Sequence, residues 1–281
     1  MAGTTETGAV DPIDEIDQLL HGQTIWHHVD AAFGGFFCTI LGMPENPLSE
    51  QAQKALACIQ RATSVTLDPH KLGYVPYSSG AFLAADVRDY TCVRTLAPYI
   101  DYDLNAGDRG PYTLEGSRSA AGAASTWLTA RTIGLNASGY GLLLARTIRQ
   151  KNRLESILKA SSPLVRVVPN CDTNILCFTL AQPNEAVSQS NQRCLDILRQ
   201  LAADKRYYFS KTQFSREQSQ ELVSQWAGHW DCAELTLLRL CLMNPFLDAQ
   251  ELTVRHLEEL AAAILEFASA PRPEAKAISE S

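Results

Sequence analysis

The chain lacks most of the signatures that would make its chemistry easy to name. None of its eight cysteines forms a Cys-x-x-Cys pair, and no His-Glu-x-x-His run occurs among its six histidines. Zinc-ribbon, thioredoxin-like and zincin readings are therefore excluded as leading explanations. The formal charge is -7, so there is no basic excess to hold a polyanion, and nucleic acid is not an expected partner. No apolar run approaches the ~20 residues of a membrane-spanning helix, and the first residues, Met1-Ala-Gly-Thr-Thr-Glu-Thr-Gly8, carry no hydrophobic leader core. No internal repeat is visible. Cys177 and Cys241 sit in the apolar runs Asn174–Phe178 and Leu238–Leu242. Buried, reduced thiols of a cytoplasmic protein are the expectation.

What is present is a hydrophobic share of 46% over 281 residues, enough for a sizeable core in one large or two modest domains. Apolar spacing predicts a short helix over 11–20 begun by Pro12, and a helix over 49–61 with Ser49 as its N-cap. Strands are expected at 25–29, 64–67 and 80–85, the last antiparallel to its predecessor. The stretch 96–116 is rich in Tyr, Asp, Asn, Gly and Pro and reads as a long functional loop. Helices are expected at 119–132 and 139–160, the first buried because it is Ala-rich and nearly uncharged. Strands at 164–168, 173–180 and 235–242 and helices at 191–204 and 247–268 complete the pattern, and 271–281 has a disordered composition. Strands alternating with helices indicate an α/β layer with its working residues at strand ends.

Two of those ends carry unusual residues. Ile25-Trp-His-His-Val-Asp30 delivers a carboxylate at the end of one strand, and Ser64-Val-Thr-Leu-Asp-Pro-His-Lys71 delivers an amine just past another. A lysine amine is the group that captures a cofactor aldehyde. A carboxylate can keep a pyridine ring nitrogen protonated. His27 and His28 alternate across their strand, so at most one of them faces such a site. Arg239 lies in the otherwise apolar run Leu235–Leu242, where a buried guanidinium needs an anionic partner.

Five segments in order resemble those of the group II pyridoxal phosphate (PLP)-dependent amino-acid decarboxylases. They are Ala2-Gly-Thr-Thr-Glu-Thr-Gly-Ala-Val-Asp11, His28-Val-Asp30-Ala-Ala32, Asp68-Pro-His-Lys71, Leu114-Glu-Gly-Ser-Arg118 and Leu238-Arg-Leu-Cys-Leu-Met-Asn-Pro245. The resemblance implies an α/β, PLP-dependent transferase-like fold (aspartate aminotransferase type, fold type I). It implies a partial large domain over 1–135 and a C-terminal α+β small domain over 136–270. It also implies that this chain lacks the part of the large domain that cradles the cofactor phosphate and stacks on the pyridine face.

By the same resemblance, Lys71 would hold PLP covalently and Asp30 would pair with its ring nitrogen. Ala32 would present its methyl under the ring, and His70 and Asp68 would lie near the phosphate or the lysine turn. Thr4 or Thr5 would hydrogen-bond the cofactor or the substrate, and Arg239 would take the substrate carboxylate. A loop tyrosine would act as proton donor, with Tyr99 and Tyr102 favoured and Tyr112 also available. The stretch Asp68–Tyr77 most resembles tyrosine decarboxylases, so an aromatic amino acid is the favoured substrate. The alternatives are a carbon–carbon lyase of the sphingosine-phosphate lyase type, or a truncated subunit that needs a partner chain. Family members are dimers, so a homodimer or a complementing chain is expected.

Overall fold

A computed structural model describes residues 1–99, 112, 119–249 and 255–269 of the chain. The chain divides into two compact units, Met1–Ile148 and a second beginning at Arg149. The division falls inside a long helix, beyond the expected boundary near residue 135.

Unit 1 is built on a small sheet. Strand β1 (His28–Asp30) pairs in parallel with β2 (Ser64–Leu67), and β2 pairs antiparallel with β3 (Ala81–Ala84). Helix α1 (Ile13–Leu20) packs on α2 (Glu50–Cys58), and a 3-10 turn at Gly35–Ile40 carries Phe36, Phe37 and Ile40 into the core. Ser49 caps α2 as expected, its Oγ accepting the Ala52 N–H at 3.2 Å. Pro12 lies at the N-cap of α1 rather than within it. The strand expected from residue 25 begins only at His28. Ile25 and Trp26 are exposed, so no burial favours extending the ladder to them.

Helix α3 (Ala121–Ile133) is present, but the expectation that it is buried fails. None of its residues is buried among the described ones, and Trp127 and Leu128 are 67% and 60% exposed. Low charge signals a surface that prefers contact, but it does not say which chain supplies the contact. The first turn of α3 is seated by Ser79, whose Oγ donates to Gly122 O at 3.2 Å and lies 2.9 Å from Thr126 Oγ1.

Helix α4 (Tyr140–Ser161) starts in unit 1, where Tyr140 is buried and donates its hydroxyl to Gly73 O at 2.7 Å.

Unit 2 has an antiparallel sheet ordered β4 (Val165–Val167), β5 (Ile175–Leu180), β7 (Glu234–Cys241), β6 (Ser210–Ser215). All six residues of β5 are buried, and β7 is mostly buried. Helices α5 (Val187–Asp204) and α7 (His256–Ser269) close the core through Cys194, Ile197, Leu201, Leu257, Leu260 and Ile264. Residues 245–248 form a turn before α7, so the expected start of that helix at 247 is corrected to His256. Strand β6 and helix α6 (Arg216–Ser224) were not expected from the sequence. The expected tail 271–281 lies outside the described residues.

Candidate active site

The parallel pairing of β1 with β2 places Asp30 opposite Thr66 and brings both chain reversals to one end of the sheet. Two backbone bonds tie those reversals together. Ala31 N donates to Thr66 O at 3.0 Å, and Asp68 N donates to Ala32 O at 3.2 Å. The segment holding Asp30 and Ala32 is thus bonded directly to the segment that turns into Lys71. The first residues close the same corner. Ala2 N donates to Asp30 O at 2.7 Å, and Gly34 N donates to Ala2 O at 2.9 Å. A Cβ on Gly34 would come within 2.2 Å of Ala2 O, so glycine is what permits this approach.

Within the corner, Asp30 Oδ1 accepts the Ala32 N–H at 3.0 Å, an Asx-type turn that fixes the carboxylate. Lys71 N donates to Asp68 O at 2.9 Å, so the lysine sits at the end of a tight turn. Its Nζ lies 2.9 Å from Asp68 Oδ2, and His70 Nε2 lies 3.6 Å from the same oxygen. These three side chains are 34%, 20% and 15% exposed for Lys71, Asp68 and His70, sheltered but open to a ligand. The His70 ring stacks on Tyr77 with centroids 4.1 Å apart. The Asp68 side chain thus pairs with Lys71 and faces His70.

The remaining expected residues are placed more loosely. Thr4 Oγ1 is engaged in its own turn, accepting the Ala9 N–H at 3.1 Å and lying 3.0 Å from Thr7 Oγ1. Thr5 is exposed. His28 is exposed, with ring nitrogens 2.8 Å from Ser64 Oγ and 3.0 Å from Thr66 Oγ1. His27 pairs through its backbone with Thr63. Tyr99 is 87% exposed, and Tyr112 lies against Tyr90 at 6.3 Å. Tyr102 and Leu114–Arg118 lie outside the described residues.

Arg239 belongs to unit 2, opposite Cys177 in the β5–β7 ladder, with its Nη1 donating to Ser210 Oγ at 3.3 Å. Two contributors escaped sequence reasoning. Ser79 binds His70 and α3, and Gly80 lies against Asp68, where a Cβ would come 3.2 Å from Oδ1. The Ser-Ser-Gly run that ends the lysine turn was the available signal.

The donor set suits PLP at two points. An amine is present for the aldehyde and a fixed carboxylate for the ring nitrogen, on segments bonded to each other.

The chain is similar to known proteins in both sequence and fold. L-tyrosine decarboxylase of Enterococcus faecium is 28% identical over 94% of this chain and 52% of its own length. A "Probable L-tyrosine/L-aspartate decarboxylase" of Methanothermobacter thermautotrophicus is 33% identical over 63% of this chain and 45% of its own. The chain spans about half the length of these relatives. Among solved structures, mouse CSAD in apo form superposes with a TM-score of 0.72 at 21% identity, covering 95% of this chain and 50% of that one. Oryza sativa TDC with PLP and tryptamine also gives 0.72, at 17% identity over 95% and 49%. The α/β fold is therefore that of the PLP decarboxylase structures, fold type I, over about half their length. The pyridoxal-dependent decarboxylase conserved domain matches residues 1–181, more than half of the chain, and the chain belongs to the pyridoxal-dependent decarboxylase family.

Proposed function

We propose that this chain takes part in removing the α-carboxylate of an L-amino acid of the tyrosine type, releasing the amine and CO2. The observation that carries the reading is the direct bonding of the Asp30 segment to the Lys71 turn through Asp68 N and Ala32 O. The tyrosine decarboxylase relatives support the substrate class.

Bound PLP would supply an aldehyde for covalent attachment and a protonated ring able to accept an electron pair. Lys71 would hold the aldehyde carbon and later take part in product release. One Asp30 oxygen accepts the Ala32 N–H, and the other would take the ring N–H of the bound cofactor. The Ala32 methyl would pack against the ring face. Tyr99 is proposed as a proton donor to the substrate Cα, as is Tyr102, which lies outside the described residues. On the resemblance of its segment, Arg239 is proposed to take the substrate carboxylate. Thr4 or Thr5 is proposed to hydrogen-bond the cofactor or the substrate; Thr4 Oγ1 already accepts the Ala9 N–H within its own turn.

The test is borohydride trapping of the chain with PLP, followed by peptide mass spectrometry and by amine and CO2 assays with tyrosine, tryptophan, glutamate and aspartate. Label on Lys71 and turnover of tyrosine are expected. Label on a different lysine would sink the site, and turnover of only the acidic pair would sink the substrate. An aldehyde product without CO2 would favour the carbon–carbon lyase alternative.

A second reading concerns the partner. Fifteen of the seventeen exposed large apolar side chains among the described residues lie in unit 1. We propose that this surface is covered by the half of the relatives' length that the chain does not span. Co-expression with that half of the E. faecium relative should abolish 8-anilinonaphthalene-1-sulfonate (ANS) fluorescence of the free chain and raise trapping at Lys71. A chain that binds no dye alone, or traps equally well alone, would contradict this.

A further inference from the structure

Asp68 is a carboxylate between two donors. A single oxygen, Oδ2, lies 2.9 Å from Lys71 Nζ and 3.6 Å from His70 Nε2. Only the first distance is that of a formed bond. The geometry around His70 decides what the second donor can do. The Ser79 N–H donates to His70 Nδ1 at 3.1 Å, and His70 N donates back to Ser79 O at 3.2 Å. With its lone pair engaged at Nδ1, the neutral ring must carry its proton on Nε2, the nitrogen that faces Asp68. Stacking on Tyr77 holds the ring plane. On the other side, Asp68 Oδ1 faces Gly80, where an added Cβ would stand 3.2 Å from it, so glycine leaves that oxygen room to turn. A carboxylate that merely pinned the turn would not need a histidine whose N–H is aimed at it by a backbone amide.

We propose that Asp68 is a positioning residue that holds the Lys71 amine while no carbonyl is bound and turns to His70 Nε2–H once that amine is used. This rests on Lys71 being the residue that captures the cofactor. When an ammonium captures an aldehyde, a nitrogen–carbon double bond forms and the carbon–oxygen bond breaks. The oxygen leaves as water with two of the three nitrogen protons, and the third stays on nitrogen with the positive charge. The nitrogen then has one N–H in place of three and is anchored to the new carbon, so the old direction toward Asp68 is lost. A shift of a few tenths of an ångström brings His70 Nε2 within hydrogen-bond range of the vacated oxygen. The exchange keeps the carboxylate paired throughout, which matters in a partly sheltered corner. The ion pair must also open before Lys71 can reach a carbon, so Asp68 sets a gate on capture.

The experiment uses the full chain with PLP, borohydride quenching at timed intervals and mass-spectrometric quantitation of the Lys71 peptide. Asp68→Asn and Asp68→Ser remove the charge. Both should speed initial labelling of Lys71 by about two- to fivefold, the factor expected for an ion pair of this exposure. A second readout is 15N NMR of the imidazoles, with the His70 signals assigned by their loss in His70→Asn. In the wild type, adding PLP without borohydride should shift the Nε2–H signal, and in Asp68→Asn it should not. Equal or slower labelling in the folded variants, or an unmoved wild-type His70 signal, overturns the proposal. If neither variant folds, the wild-type signal alone decides. Failure of the underlying reading looks different, because Lys71 would then be unlabelled in the wild type itself.

Discussion

Burial pushes the Cys38 thiol up to about 11 from an ordinary value of 9.0, and it does the same to Cys241. Cys194, fully buried, is raised for the same reason. Between pH 9 and 11 the unfolded chain loses these protons while the folded chain keeps them. Stability is thus fully present below pH 9 and falls as pH rises toward 11. Denaturant titrations at pH 8 and pH 10.5 should show the lower midpoint at 10.5. Iodoacetamide at pH 8 should label exposed Cys92 first and leave Cys38, Cys194 and Cys241 untouched until unfolding. A second prediction concerns Gly34. The clash of a new Cβ is with backbone, so Gly34→Ala should cost about 1–3 kcal/mol, read by thermal melting. It should also weaken trapping at Lys71, because the displaced Ala2 segment bonds to Asp30. Asp30 and Lys71 stood out in the sequence because one ends β1 and the other lies in the turn that follows β2. The contacts of Ser79 and Gly80 were not legible, since the Ser-Ser-Gly run marks a turn without saying which groups it meets.

Elements with a strong apolar period came through the sequence well, and those without one did not. Strand β2 lies where expected, and β5 differs only at its first residues, because both are apolar runs between turn signals. Strand β6, Ser-Lys-Thr-Gln-Phe-Ser, is an edge strand with alternating partial exposure, held by its six-residue register with β7. Its residues carry little propensity, so only the neighbouring strand makes it a strand. Helix α6 follows directly, and its capping box was present in the sequence unrecognised. Ser215 Oγ accepts the Gln218 N–H at 3.3 Å and Gln218 Oε1 accepts the Ser215 N–H at 2.9 Å. Ser215→Ala should destabilise unit 2 by about 1 kcal/mol in urea titration. The ion pair of Arg193 and Glu185 matters more. The Glu185 carboxylate beside it raises the Arg193 guanidinium further, and both side chains are largely buried. Glu185→Ala leaves that cation without its anion and should cost about 3 kcal/mol by the same measurement. Glu185→Gln, which keeps an acceptor, should cost less.

At the scale of the molecule, the two units differ in how well they satisfy themselves. Unit 2 encloses its sheet with α5 and α7, whereas unit 1 leaves α3, β3 and residues 25–26 with apolar side chains in water. That contrast predicts that proteolysis of the free chain will cut unit 1 first and leave a resistant fragment beginning near residue 149, measurable by limited digestion and mass spectrometry. Equal resistance of both units would count against it. No described helix is long and apolar enough to cross a membrane.

Sequence by itself pointed to the family, because its motif segments, in order, depend on residue identity and spacing alone. It also determined the helices and strands whose burial period is written in their side chains. Tertiary structure alone decided that Asp68 pairs with Lys71, that Ser79 donates to His70 Nδ1, and that α3 is exposed. Each of those depends on which groups meet across the fold, and hydrogen-bond direction and burial are properties of a meeting rather than of a residue.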